Sequence, residues 1–175
     1  MVNLATLPRR LIVTGLSGSG KTMYCQQVIA AAKSAGWRIA GILSPPRFAE
    51  GQKTGIFAVD LASGATRLLA SCVPVPDEIK GVRFGKWVFD RDALAWGNEL
   101  LFNLPASDLL VVDEIGPLEF DLQQGWPVCF QAISRPFAAI TLATVRPAYL
   151  PQLQTFWRES VTLHVETQKY APSNH

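Results

Sequence analysis

Runs of consecutive apolar residues, Leu11-Ile12-Val13 and Leu109-Leu110-Val111-Val112, stand out in a chain whose other apolar positions recur at helical or alternating spacing. Short, branched runs bounded by glycine or charge predict strands covered on both faces, as in a parallel sheet between helices. Residues 23–35 carry the helical spacing and Gly36 stops them, and residues 38–43 predict the next strand, ended by Pro45-Pro46. Residues 54–61 and 66–70 read as strands joined by Ala62-Ser63-Gly64-Ala65, a hairpin that interrupts the alternation of strand and helix. Residues 71–83, with Pro74, Pro76 and Gly81, predict a loop, and residues 84–89 a strand. Asp90 is a suitable N-cap for a helix to about Asn103, with Gly97 its weak point.

The alternation then resumes. A helix is predicted from Asp121 or Leu122 to Arg135, a strand over 138–143, a short helix with Pro147 in its first turn, and a closing strand over 161–165. Residues 166–175 lose periodicity and predict a frayed tail. The fold class is α/β: one domain over residues 1–175, a mostly parallel sheet with helices on both faces, and a hairpin and loop insertion at about 46–89.

Composition narrows the function classes. With 49% hydrophobic against 17% charged residues, the 175-residue chain has enough apolar content for a core and little for disorder. A net charge of +2 with scattered Lys and Arg argues against a nucleic-acid footprint. Neither a signal peptide nor an apolar run of the ~20 residues needed to span a bilayer is present, so the expectation is a cytoplasmic protein without membrane contact. Cys25, Cys72 and Cys129 are far apart and read as buried thiols, while His164 and His175 have no metal-ligand spacing. No heptads or long apolar edge strand appear, so a monomer is expected.

The chemistry concentrates where the first apolar run ends. Gly15-Leu16-Ser17-Gly18-Ser19-Gly20-Lys21-Thr22 matches G-x-x-x-x-G-K-[ST] at a strand-to-helix turn. Its glycines let successive N–H groups converge on phosphate oxygens, and the helix that follows adds its own unpaired N–H groups. Lys21 would reach the β- and γ-phosphates and Thr22 would join a Mg²⁺ shell. The second apolar run ends in Asp113-Glu114. A hard cation wants oxygen ligands, so Asp113 is the expected Mg²⁺ partner with Thr22, and Glu114 the carboxylate that orients and deprotonates a water in line with the γ-phosphate. The long separation between Thr22 and Asp113 predicts a strand between theirs, as in the RecA-like division of phosphate-loop proteins. The N-K-x-D guanine-recognition signature is absent, so tight guanine selectivity is not expected.

From Leu11 to about Val165 the chain resembles the small P-loop nucleoside-triphosphatases of archaea, bacteria and animals, relatives of the human cancer-related nucleoside-triphosphatase. The resemblance rests on Thr14-Gly15 to Thr22, Gly41-Ile42-Leu43 with Gly55-Ile56-Phe57-Ala58-Val59-Asp60, Gly85-Lys86-Trp87-Val88, and above all Val112-Asp113-Glu114-Ile115-Gly116-Pro117-Leu118-Glu119. It implies Mg²⁺-dependent hydrolysis of ATP, GTP and other nucleoside triphosphates to the diphosphate and phosphate, with low turnover and broad base tolerance. Two departures stand out: Pro117 occupies a place where relatives often carry lysine, and Thr144-Val145-Arg146-Pro147 lacks a histidine that many show.

Thr144 is a candidate to bond the attacking water or a phosphate, and Arg146 to offset developing charge. Phe48, Phe57, Phe84 and Trp87 are candidates for stacking on a base, with core packing the plainer role for most, and Arg47, Lys53, Arg83 and Lys86 read first as solvated charges. Two other functions fit the same residues. One is a nucleotide or small-molecule kinase, with Arg47, Arg83 and Arg146 closing over both substrates. The other is a nucleotide-gated switch that docks a partner through Trp126 and Phe130, or Phe156 and Trp157.

Overall fold

The computed structural model describes residues 2–72, 81–135 and 138–166. The first apolar run becomes β1 (Arg10–Thr14), followed by α1 (Lys21–Ser34) and β2 (Ile39–Leu43). The second becomes β8 (Leu109–Ile115), and β9 (Ile140–Val145) and β10 (Val161–His164) complete the parallel part. The order β10-β1-β9-β8-β2 is parallel throughout, so β9 stands between the strand of the glycine loop and the strand of the acidic pair, as their separation predicts.

Period-two side-chain direction explains why these runs are apolar at every position. Leu11, Val13, Leu109 and Val111 pack on the α1 side with Cys25, Val28, Ile29 and Ala32, which recur at the spacing of one helix face. Ile12, Leu110 and Val112 face the other layer. That layer comprises α2 (Arg91–Phe102), α4 (Val128–Ser134) and α5 (Leu150–Phe156), which contribute Leu94, Leu101, Cys129, Ile133 and Leu153. Asp90 caps α2 as expected, its carboxylate accepting from the Ala93 N–H at 2.7 Å.

The insertion expected at about 46–89 holds more strands than the sequence suggests. β3 (Pro46–Ala49), β4 (Gln52–Asp60), β5 (Thr66–Cys72), β6 (Gly81–Phe84) and β7 (Trp87–Asp90) form an antiparallel wing that continues the same sheet through β2-β4-β5-β7-β6, with β3 paired to β4. The predicted hairpin is β4 and β5. β3 carried no signal, because Arg47, Phe48 and Ala49 are all exposed and give no alternation. The strand predicted over 84–89 is two strands, divided by a turn at Gly85, whose φ of 57° suits a tight reversal. The loop predicted over 71–83 is shortened by β5 and β6, and its centre, 73–80, lies outside the described residues.

The helix predicted from Asp121 or Leu122 to Arg135 is also divided. A single turn, α3 (Pro117–Phe120), comes first, and α4 begins only after Gly125-Trp126-Pro127. Pro127 supplies no N–H to an uninterrupted helix, and Gly125 lies where a Cβ would come 2.0 Å from Glu119 Oε1. The strand predicted over 138–143 is shifted to 140–145. Most of the frayed tail, 167–175, lies outside the described residues. Among the described residues no helix is long and apolar enough to cross a membrane.

Two contacts hold this region. Trp126 is buried against α2, where Gly97 leaves room for it: a Cβ there would meet Trp126 Nε1 at 2.3 Å. The weak point of the helix is thus a packing position. Glu119 is buried and accepts from the Gly116 N–H at 2.9 Å and the Trp126 N–H at 2.8 Å, closing the irregular segment on itself. Burial pushes its carboxyl above the usual 4.5, and the two N–H bonds offset part of that.

Gly97→Ala is expected to destabilise the protein by about 1–3 kcal/mol through overpacking, outweighing the ~1 kcal/mol of helix propensity gained. A urea melt checks this. In the wild type, folded Glu119 keeps a proton that the unfolded chain has lost as pH rises above 4.5, so its contribution to stability falls through that window. Glu119→Gln sets an NH₂ against one of the two donors, costing about 1–3 kcal/mol, and removes that pH dependence. Unfolding of both proteins from pH 4.5 upward measures the difference.

Candidate functional site

The glycine loop joins β1 to α1 in the geometry that the motif requires. Gly18 and Gly20 adopt φ of 78° and 101°, values that strain a side chain, and Gly20 ends the loop as the N-cap of α1. Lys21 follows at once. Its Nζ donates to Gly15 O at 2.8 Å and Leu16 O at 2.9 Å, folded back over the loop. Burial lowers its pKa, and Glu114 and Asp113 oppose that change.

The acidic pair occupies a bulge. Val112 pairs with Ala143 and Ile115 with Val145, so Asp113 and Glu114 together oppose the single residue Thr144. Regular pleating would send neighbouring side chains to opposite faces, whereas here both line the cleft at the glycine loop. Glu114 pays for this with φ 72°, the left-handed region where a non-glycine residue is strained.

Thr144 bridges the bulge. Its buried hydroxyl donates to Asp113 Oδ1 at 2.8 Å and accepts from the Glu114 N–H at 2.6 Å. A hydroxyl has one proton to donate, so in this arrangement Thr144 holds the acidic pair and has none for a water or phosphate. Ser44, directly after β2, completes the support: its N–H donates to Asp113 Oδ2 at 3.1 Å and its Oγ to Asp113 O at 3.0 Å. Thr22 hydrogen-bonds the same carboxylate. Arg146 Nη2 donates to Glu114 Oε1 at 2.8 Å, an ion pair at the cleft mouth.

The donor set suits a hard divalent cation. Asp113 is 1% exposed, and burial, reinforced by Glu114, raises its pKa despite the bonds from Thr144, Ser44 and Thr22. A buried carboxylate facing a second carboxylate, with the Thr22 hydroxyl beside it, has the oxygen chemistry and the uncompensated charge that Mg²⁺ would match.

The cleft has a volume of about 370 Å³ and includes Gly18, Gly20, Lys21, Thr22, Asp113 and Glu114 in its lining. Phe48 and Lys53 from the wing also line it, Phe48 being 62% exposed. Phe84, Lys86 and Trp87 line a separate cavity, Phe57 is half-buried, and Arg47 and Arg83 are exposed. Trp126 and Trp157 are core residues at 3% and 2% exposure, which removes them from any docking surface; Phe130 and Phe156 meet edge to face. Cys25 and Cys129 are buried thiols, while Cys72 is only half-buried.

Sequence reasoning missed Ser44 and the bulge. Both depend on which strands neighbour β8, and one run of apolar residues does not reveal its neighbours.

A family model described as NTPase matches residues 10–169. The nucleoside-triphosphatase THEP1 of Caldivirga maquilingensis is 33% identical over 109 residues, 62% of this chain and 60% of that protein. That of Methanosarcina acetivorans is 36% identical over 112 residues, 63% and 61% of the two chains, and that of Ignicoccus hospitalis is 28% identical over 138 residues, 78% and 77%. The alignments to the first two of these span about three fifths of the relatives' lengths. The solution structure of a human cancer-related nucleoside triphosphatase shares the fold with a TM-score of 0.68 at 24% identity, covering 92% of this chain and 90% of that one. The crystal structure of THEP1 from Aquifex aeolicus does so with a TM-score of 0.61 at 18% identity, covering 90% and 88%. The fold is that of phosphate-loop NTPases, and the chain belongs to the NTPase family whose model it matches over residues 10–169.

Proposed function

We propose that the protein is a Mg²⁺-dependent nucleoside-triphosphatase that hydrolyses ATP, GTP and other nucleoside triphosphates to the diphosphate and phosphate. The observation that carries this reading is the bulge, which turns Asp113 and Glu114 together toward the loop that holds Lys21. The names of the archaeal relatives support the same activity.

The loop N–H groups and the start of α1 bind the phosphates, and Lys21 exchanges its two carbonyl partners for β- and γ-oxygens. Thr22 and Asp113 would hold Mg²⁺, which would supply positive charge against the phosphates. Glu114 orients a water and takes its proton as the new bond to the γ-phosphorus forms; the bond to the bridging oxygen breaks and the nucleoside diphosphate leaves. Thr144 acts through the two carboxyl residues as a positioning residue. Arg146 steadies Glu114 and offsets charge developing beside it.

Broad base tolerance and low turnover belong to this reading. Phe48, exposed at the cleft, offers a face on which any base stacks, and Glu114 must share its carboxylate with Arg146. Three free thiols fit a reducing cytoplasm, and the small net charge fits a monomer that binds nucleotides and no nucleic acid.

Phosphate release from ATP, GTP, CTP and UTP with Mg²⁺ tests the proposal. Lys21→Ala is expected to lose both nucleotide binding and release. Glu114→Gln should keep binding while release falls by roughly 10²–10⁴-fold. Thr144→Val, which removes the bridge without touching nucleotide, should lower kcat by about 10–100-fold. Wild type that binds nucleotide but releases no more phosphate than Glu114→Gln would overturn the assignment.

A further inference from the structure

Glu114 borders two cavities. The phosphate cleft is one; the other, of about 260 Å³, shares Ser17, Ser44 and Glu114 with it but has different walls. Ile56, Leu69 and Phe89 of the wing and Trp126 from the α2 side make those walls apolar and partly aromatic. Ser17, Ser44 and Glu114 stand where the two cavities meet, with Arg146 bonded to Glu114, and Lys86 and Glu119 are the other charged groups of the lining. Arg146 also carries a buried Nε–H that has no partner among the described residues.

Size and chemistry together make this more than a place for the attacking water. A water needs ~30 Å³ and two to four polar partners, so a hydrolase that uses water alone has no need of an apolar hollow several times that volume beside its base. Protein interiors do not leave such space by default. A volume just under the ~300–1,000 Å³ of ordinary ligand pockets, apolar walls and a few convergent polar groups at one end are the features of a small-molecule site.

The position selects the role. Lys21 and Thr22 line only the phosphate cleft, whereas Glu114 lines both spaces. A ligand in the second cavity would therefore meet the γ end of a triphosphate, not its base. The wall of Phe89 and Trp126 favours a flat apolar body, and the lining sets Lys86 and Arg146 against Glu114 and Glu119, with Arg146 already paired to Glu114, so no strong excess of either sign calls for a charged ligand.

We propose that the second cavity binds a neutral alcohol with a flat, apolar body and presents its hydroxyl to Glu114 as an acceptor of the γ-phosphoryl group. The inference rests on the nucleotide reading above, because the same bound triphosphate is the donor. Glu114 takes the hydroxyl proton while the alcohol oxygen bonds to the γ-phosphorus. The bond from that phosphorus to the bridging oxygen breaks, releasing the nucleoside diphosphate and a phosphomonoester. Water occupies the acceptor position when the cavity is empty of alcohol, and hydrolysis results.

The test uses the full chain with ATP, Mg²⁺ and a set of probes: benzyl alcohol, 2-phenylethanol, 1-indanol and 2-naphthalenemethanol. Phosphorus NMR distinguishes inorganic phosphate from a phosphomonoester. At least one probe is expected to yield ester and to raise ATP turnover by roughly tenfold or more, because a held acceptor replaces a loosely held water. Leu69→Trp and Ile56→Phe fill the apolar end; each should retain phosphate release in water, which also reports a folded site, and lose ester formation. Phosphate release with no ester from any probe overturns the acceptor site and leaves the hydrolysis reading intact. Ester formed equally by wild type and both filled variants also overturns it. Ester formation in wild type without release in water would support the acceptor site while overturning hydrolysis as the intrinsic activity.

Discussion

The site depends on one hydroxyl. Thr144 stands opposite two residues of β8, and by donating to the Asp113 carboxylate while accepting from the Glu114 N–H it stabilises a bulge that a parallel ladder rarely contains. The backbone energy is unfavourable there, since Glu114 adopts a left-handed φ. What offsets it is local: the N–H displaced from the ladder finds an oxygen, and the buried carboxylate finds a donor. The bulge also explains why two consecutive residues serve one cleft.

Around that hydroxyl the fold concentrates charge in a place with little water. Asp113 is enclosed by β2, β8, β9 and the start of α1, and its bonds from Ser44, Thr144 and Thr22 do not fully offset desolvation. Lys21 is partly desolvated nearby and rests on loop carbonyls. Both groups are thus held in position but incompletely satisfied. A triphosphate with its cation would supply each with the partner it lacks, so preorganisation here takes the form of unmet electrostatic demand rather than of a rigid mould.

Much of this was legible in the sequence because it is local. The loop from Gly15 to Thr22 announces itself by spacing, β1 and β8 by uninterrupted apolar runs, and α2 by Asp90 at its start. The strand between β1 and β8 follows from the long separation of Thr22 and Asp113 in the sequence. What was not legible was set by partners distant in sequence. Residues 121–135 show apolar spacing that suits one helix, but Trp126 turns into the core beneath Gly97 and its N–H is taken by Glu119, so the helix divides. β3 is exposed along its length and left no pattern. Ser44 carries no signal of its own, because its role depends on β8 lying beside β2. Trp157, a docking candidate on sequence, is among the largest fully buried side chains.

The sheet changes character at a narrow line. β2 and β4 meet through two register pairs, Ile42 with Asp60 and Leu43 with Val59, and every strand beyond that line in the sheet order runs antiparallel to its neighbour. The parallel half carries the loop, the acidic pair and the two residues that brace it; the wing carries Phe48, Ile56, Leu69 and Phe89. Substitutions distant from one another and without shared partners act nearly independently. The wing nevertheless shares one apolar core with Ile12, Leu110 and α2 through Ile56 and Leu69. Changes at its exposed positions away from Phe48 and Lys53 could therefore reshape the space beyond Glu114 while the glycine loop and the acidic pair keep their own supports, a constant engine with an exchangeable antechamber packed against it.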